Sequence, residues 1–428
     1  MKSRKLRAPT VLTIISLIIV VLAPTAAASK FKTLYTFSGG SDGDSPRSGL
    51  ILDKDGNLYG TTFFNGQNGC GAQCGTVFKL TRNPDGSMTE SVLYSFSGNE
   101  DGADPAAELT FDAAGNLYGT TLYGGENEYH GGCGVVFELT PNDDGNWTQD
   151  VLYASTCGMD GVFFNSRVIF DAAGNLYGTL YAAGLHNAGE IFKLTLNPDA
   201  SWTKSVVYSF TGGADGLYPS GGIIFDAQGN LYGTTTRGGI RGNGCDPYAC
   251  GNVFKVTPNP DGSWSEQVLY TFKDGADGAL PVAGLIFDQS GNLYGTTSGG
   301  GSFSGDCAPN GCGVVFKLTP NPDGSWTETI LHTFSGGRDG AAPAAGLVFD
   351  PEGSLYGTCS LGGINGYGGV FRLTPDPRGR WKEAGYAFRN NPGAYPKAVL
   401  TLDDAGNLYG TTSGDGITTF GTVFEITP

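Results

Sequence analysis

The chain has 428 residues, among them 71 Gly, 22 Pro, 25 Lys+Arg and 41 Asp+Glu. Glycine at about one residue in six is more than twice the usual ~7%. Each glycine inside a helix costs roughly 1 kcal/mol, so a helix-rich core is excluded. No G-x-y period runs through the chain, which excludes collagen. Hydrophobic residues at 39% and charged residues at 15% leave ample apolar surface for a core. The net charge of −16 argues against a nucleic-acid partner and against docking on an anionic membrane.

The first 28 residues read as a targeting segment. Lys2, Arg4, Lys5 and Arg7 form a basic start, Val11 to Leu22 an apolar run, and Ala26-Ala27-Ala28 a small-residue cleavage site before Ser29. The apolar run is shorter than the ~20 residues of a membrane span. Cleavage after residue 28 removes four basic groups and no acidic ones, leaving a net charge of −20. No later run is long enough to span, and no C-terminal anchor is expected. The expected mature protein, residues 29–428, is soluble, secreted or periplasmic, monomeric, and off the membrane.

The tripeptide L-Y-G recurs at Leu58, Leu117, Leu176, Leu231, Leu293, Leu355 and Leu408, at spacings of 59, 59, 55, 62, 62 and 53 residues. Each copy has the same surroundings. An apolar run ending in Asp, such as Leu109 to Asp112, leads through D-x-x-G-N into L-Y-G-T-T. A Gly-rich loop then reaches V-F-K-L-T, as in Val77 to Thr81. A P-N-P-D-G-S-W turn, clearest at Pro320 to Trp326, precedes a run like Val92 to Phe96. These are four short strands per unit, separated by turn chemistry. Four antiparallel strands per unit make a propeller blade. The start, Phe31 to Phe37, matches the fourth strand, and the end, Val423 to Thr427, matches the third. The N-terminus therefore supplies the strand that the seventh unit lacks, which pairs two open edges. The expected fold is all-β: one seven-bladed propeller over residues 29–428.

The G-N-L-Y-G-T-T…G-x-V-F-K-L-T pattern resembles the Gloeobacter/Verrucomicrobia (GloVer) repeat of exported bacterial proteins with varied surface anchors. All seven units carry it, with Ser354 in place of the turn Asn and Cys359 in place of the second Thr. The resemblance implies a bacterial exported protein and no established activity.

Function is expected on the face that holds the loops between strands 2 and 3, and between strand 4 and the next strand 1. The opposite turns are nearly constant and read as scaffold. The following Met88, Trp147, Trp202, Trp264, Trp326 and Trp381 read as packing between blades, with ligand stacking as the rival. From the L-Y-G Leu to the V-F Phe, the seven units count 20, 20, 16, 23, 23, 16 and 16 residues. The longer loops carry the cysteines. Cys70/Cys74, Cys245/Cys250 and Cys307/Cys312 read as local disulfides in an oxidising compartment. A zinc site is the rival, without histidines to support it. Cys133 has Tyr129 where its partner would sit, and a Cys133–Cys157 bond is expected with the next loop. Cys359 is left as a buried free thiol.

Asp-Gly recurs in six of the strand 4 to strand 1 loops, at Asp42, Asp101, Asp160, Asp215, Asp277 and Asp339. Repetition predicts a ring of acids at the channel mouth. It has two readings: local turn chemistry, or carboxylates suited to Ca²⁺. No other cofactor is implied. His130 and His186 fall in equivalent loops of adjacent blades, and with Glu126, Glu128 and Asp160 on the same face they form a metal or acid–base candidate beside the plainer reading of variable polar loops. Phe63, Phe64, Tyr123, Tyr129, Tyr248 and Phe303 are candidates for stacking on sugar rings, or for packing within the loops. No serine elbow, phosphate loop or H-E-x-x-H is present. The sequence thus reads as a binding or interaction module for a glycan or an envelope protein. The alternatives are a carbohydrate-active lyase or hydrolase using channel-face carboxylates, and a structural surface module.

Overall fold

The computed structural model describes residues 30–66, 74–125, 131–239, 245, 248–304, 307–389, 393–414 and 419–427. These residues form seven four-stranded antiparallel sheets, arranged as a seven-bladed propeller. In blade 1, β2 (Ile51–Leu52), β3 (Leu58–Thr62), β4 (Thr76–Arg82) and β5 (Met88–Ser95) follow one another from channel to rim. Blades 2 to 6 repeat this order over residues 110–154, 169–209, 217–271, 286–333 and 348–387. Blade 7 takes β26 (Thr401–Leu402), β27 (Leu408–Thr412) and β28 (Thr422–Thr427) from the C-terminus and β1 (Lys30–Thr36) from the N-terminus. Phe31 pairs with Ile426 and Lys32 with Glu425, so the expected closure by the N-terminal strand is observed. Among the described residues, no helix is long and apolar enough to cross a membrane.

Each part of the repeat has a distinct physical task. The L-Y-G-T-T strand is buried at every position, because neighbouring blades cover both of its faces. Its tyrosine hydroxyl reaches the aspartate of the preceding turn, as Tyr59 does with Asp53 at 3.0 Å. Asp53 also accepts from the Asp55 and Asn57 amides and from the Asn57 side chain. Burial pushes the Asp53 carboxyl up, but these hydrogen bonds outweigh it and hold the acid below its ordinary value. Gly56 supplies the left-handed residue, with φ +77°, that lets this hairpin close. The first Thr of L-Y-G-T-T bridges to the next blade. Thr234 donates to the Ala283 carbonyl at 2.9 Å, and Thr411 donates to the Ser48 carbonyl at 3.1 Å across the closure.

The V-F strand supplies the largest buried ring of each blade. Phe316 lies so close to Gly295 that a Cβ there would meet its ring at 2.6 Å. The same crowding recurs at Gly60, Gly119, Gly178, Gly233, Gly357 and Gly410. Each of these rings except Phe192 also receives, edge-on, a phenylalanine from the preceding blade: Phe272 meets Phe316 at 5.2 Å, and Phe388 meets Phe424 at 5.1 Å. Met88 and the five tryptophans pack, partly buried, against the clusters between blades. Trp264, for example, lies edge-on to Tyr177 of the preceding blade.

Gly295→Ala forces a methyl into the Phe316 ring and should cost about 1–3 kcal/mol of stability. Equilibrium denaturation in guanidinium checks this, against Gly291→Ala in an open turn as the control for a left-handed glycine.

Candidate functional site

Among the described residues, the cysteines behave largely as the loops suggest. Cys133–Cys157 joins the loops of blades 2 and 3, and Cys245–Cys250 and Cys307–Cys312 lie within single loops. Cys74 is disulfide-bonded, while its expected partner Cys70 lies outside the described residues. Cys359 is a buried free thiol, and burial pushes its pKa up. A thiol reagent should therefore find no reactive cysteine in the folded protein and one per chain in guanidinium. Reducing the 24-residue Cys133–Cys157 link should lower the melting temperature, since closing such a loop is worth roughly 3 kcal/mol.

The six Asp-Gly acids are held at the outer end of their loops, not in a ring at the channel mouth. Each is tied to the outermost strand, three strands away from the channel. Tyr35, Tyr94, Tyr153, Tyr208 and Tyr270 donate their hydroxyls to Asp42, Asp101, Asp160, Asp215 and Asp277. His332 takes the tyrosine's place beside Asp339, with Nε2 at 3.3 Å. Backbone amides just after the strand add further bonds, such as Ser38 to Asp42 at 2.8 Å. A carboxylate that accepts three local donors is committed to its turn. Among the described residues, no group of three or more His, Cys, Asp or Glu is placed to hold a metal ion. His130, with Glu126, Glu128 and Tyr129, lies outside the described residues, and His186 is exposed on its loop.

A second residue meets each of these acids from the following blade, and repeat symmetry in the sequence concealed it. The third residue of the outer strand is Glu90, Gln149, Lys204, Glu266, Glu328 or Glu383, and by pairing register Phe31 takes this position in blade 7. Burial, then the charge of Asp42 or Asp215, pushes Glu90 and Glu266 up to about 7. Burial and Asp277 do the same for Glu328, although the Tyr270 hydroxyl at 2.9 Å opposes them. Lys204 resolves the clash between blades 2 and 3. Its Nζ lies 2.8 Å from Asp160 and 2.5 Å from the buried Glu190. Where the sixth loop has no Asp-Gly acid, Phe31 stacks on Tyr386 with centroids 4.6 Å apart.

Glu90, Glu266 and Glu328 bind their protons more tightly in the folded chain than at the unfolded value of 4.5. Their contribution is complete below about pH 4.5 and is lost as pH rises through about 7. The melting temperature should fall from pH 5 to pH 8, and the triple variant Glu90→Gln, Glu266→Gln, Glu328→Gln should flatten that fall.

The channel face departs from the repeat. Seven non-glycine residues with left-handed backbone lead into the innermost strands: Ser45, Asp104, Phe163, Tyr218, Leu280, Ala342 and Tyr395, with φ from 50° to 64°. All but Phe163 precede a proline, where extended backbone is the norm. Such a conformation persists only where its surroundings enforce it. It presents half-buried aromatic pairs at the mouth. Tyr181 stacks on Tyr218 at 4.4 Å, and Tyr123 meets Phe163 at 5.3 Å. Tyr367 meets Tyr395 at 5.9 Å. Phe63 is buried against Phe64, whereas Tyr248 and Phe303 are exposed on their loops, together with Met159, Leu185, Leu361 and Ile364.

Below the mouth lies a cavity of about 490 Å³ lined by the innermost strands. At one level, the seven blades present Gly49, Glu108, Arg167, Gly222, Gly284, Gly346 and Val399. Glu108 and Arg167 form an ion pair of 3.6 Å there. Burial pushes the Glu108 carboxyl up, and Arg167 opposes the shift. A side chain at Gly49 would collide with Glu108 and Val399. Neither member of this pair was singled out from sequence. The available signal was two charges at a register position held mostly by glycine.

A sequence model of the Gloeobacter/Verrucomicrobia repeat matches residues 20–246 and 243–428. No curated protein matches the chain. Among solved structures, an ancestral GH74 enzyme is similar, with a TM-score of 0.51 and 12% identity, over 90% of this chain and 50% of that one. This chain thus spans half the length of that enzyme. A glucose dehydrogenase aligns with a TM-score of 0.46 and 14% identity, over 93% of this chain and 99% of that one. A protein of unknown function from Dyadobacter fermentans aligns with a TM-score of 0.46 and 9% identity, over 93% and 98%. At 12% identity the likeness to the GH74 enzyme is one of fold alone.

Proposed function

The chain belongs to the Gloeobacter/Verrucomicrobia repeat family, and we propose that it is an exported glycan-binding propeller that takes its ligand at the channel mouth. Residues 1–28 act as the signal peptide, and N-terminal sequencing of the exported protein should begin at Ser29. The observation that carries the reading is the set of aromatic pairs at the mouth, Tyr181/Tyr218, Tyr123/Phe163 and Tyr367/Tyr395, held by left-handed backbone. Partly exposed rings around a concave opening offer flat apolar faces with polar tips, which suits sugar C–H faces and hydroxyls. Neighbouring blades vary at the mouth while their turns repeat, so one sector is able to carry specificity.

The test is retention of residues 29–428 on a panel of insoluble polysaccharides and cell-wall fractions. Saturable retention on at least one is expected. The double variant Tyr181→Ala, Tyr218→Ala should lose at least tenfold in affinity with little change in melting temperature. Absence of retention on every polysaccharide, or retention indifferent to this variant, overturns the reading. Release of shortened sugars during the assay would favour a carbohydrate-active enzyme instead.

A further inference from the structure

The channel-facing position two residues before the Gly49 level is Arg47, Ala106, Asn165, Ser220, Val282, Ala344 and Lys397 in blades 1 to 7. The two cations fall on adjacent blades, 7 and 1, in a protein whose net charge is −16. They are close enough to oppose each other: burial and then the Arg47 charge push Lys397 below its ordinary value. Among the described residues, neither makes an ion pair within 4 Å, while other cations of the channel and the blade interfaces do.

Arg47 is half-buried and fixed in place. Its guanidinium lies over Phe63 at 4.1 Å and near Phe64 at 5.2 Å, and both are cation–π contacts. Among the described residues, its Nε is buried without a hydrogen-bond acceptor. A positioned guanidinium with an idle donor is incomplete, since a buried polar atom without a partner is costly. The carboxyl groups that face it do not complete it. Asp44 accepts the Ser45 hydroxyl at 2.8 Å. Asp104 is 2% exposed, and among the described residues its Oδ1 is buried without a donor. Two adjacent cations, one of them with an idle Nε donor, at the mouth of an acidic protein match one kind of ligand group, an anion that accepts two charge-assisted hydrogen bonds.

We propose that Arg47 and Lys397 form an anion subsite and that the glycan bound at the mouth is acidic, carrying carboxylate or sulfate groups. The inference rests on the glycan-binding reading above and names its substrate class. Asp104 sets the pH at which the subsite works. Burial pushes its carboxyl up to about 6, with Arg47 opposing the shift. Above that pH, its negative charge competes with the ligand for Arg47; below it, Arg47 is left to the ligand. Asp44 and Glu108, also raised by burial, and Lys397, lowered by burial, act in the same direction. Binding is stronger at pH 5 than at pH 8.

The experiment has two arms on residues 29–428. In the first, sodium galacturonate and sodium sulfate are each added in a thermal-shift series at pH 5 and constant ionic strength. A rise in melting temperature is expected with at least one of them, and neither Arg47→Ala nor Lys397→Ala should show it. In the second, affinity is compared for a polyuronate, a sulfated galactan and a neutral glucan of similar length. The acidic polymer matching the protective anion should bind at least tenfold better than the glucan. Arg47→Ala and Lys397→Ala should each remove about tenfold, and Asp104→Asn should flatten the fall from pH 5 to pH 8. No protection by either small anion overturns the subsite. Equal binding of glucan and acidic polymers overturns the acidic ligand while leaving glycan binding intact. Protection by a small anion without retention of any polymer overturns the glycan reading and leaves a site for small anions.

Discussion

The ring depends on one contact repeated around it: a phenylalanine, in six of seven cases from the preceding blade, set edge-on against the V-F phenylalanine. The seven pairs are Phe37/Phe78, Phe96/Phe137, Phe164/Phe192, Phe210/Phe254, Phe272/Phe316, Phe334/Phe371 and Phe388/Phe424, with centroids between 5.1 and 5.4 Å. The contact is possible because the L-Y-G glycine leaves a notch for the second ring. The rings of these pairs are almost wholly buried, so each interface gains both hydrophobic burial and the favoured edge-to-face geometry. A gap in one pair would open the ring at that interface.

Blade 2 shows how strong this constraint is. Ser155 stands where the other blades place the outer phenylalanine, and blade 3 has Phe164 where the other blades have proline. Phe164 reaches the same place from the opposite side and meets Phe192 at 5.4 Å. The acid positions on the rim show a similar exchange. Most interfaces set a glutamate against the aspartate of the previous blade. Lys204 replaces the glutamate where Glu190 adds a further buried carboxyl, and Phe31 replaces it where the aspartate is missing. The interfaces keep packing rather than residue identity.

The Asp-Gly ring and the channel charges mark the limit of reading the repeat. The six aspartates were legible as a set, and local turn chemistry was one of their two readings. Their tie to the outer-strand tyrosines depends on a residue seven positions earlier in the chain, which repeat spacing preserves but does not reveal. Glu108, Arg167, Arg47 and Lys397 stood out less in the sequence, because each is one residue in a variable stretch. They become a site only when the blades bring equivalent positions to one level of the channel.

The sequence by itself determined the strands, their order, the seven-fold count, the closure by the N-terminal strand and the Cys133–Cys157 bond. These follow from local periodicity, turn residues and repeat register, which act over a few residues or over one fixed interval. Apart from that bond, tertiary structure decided which polar and charged side chains meet across blades. That covers the raised glutamates of the rim, the cations of the mouth, and the ion pair in the channel. The reason is physical: the charge state and partners of a side chain depend on burial and on neighbours some fifty residues away, and only the closed ring sets those distances.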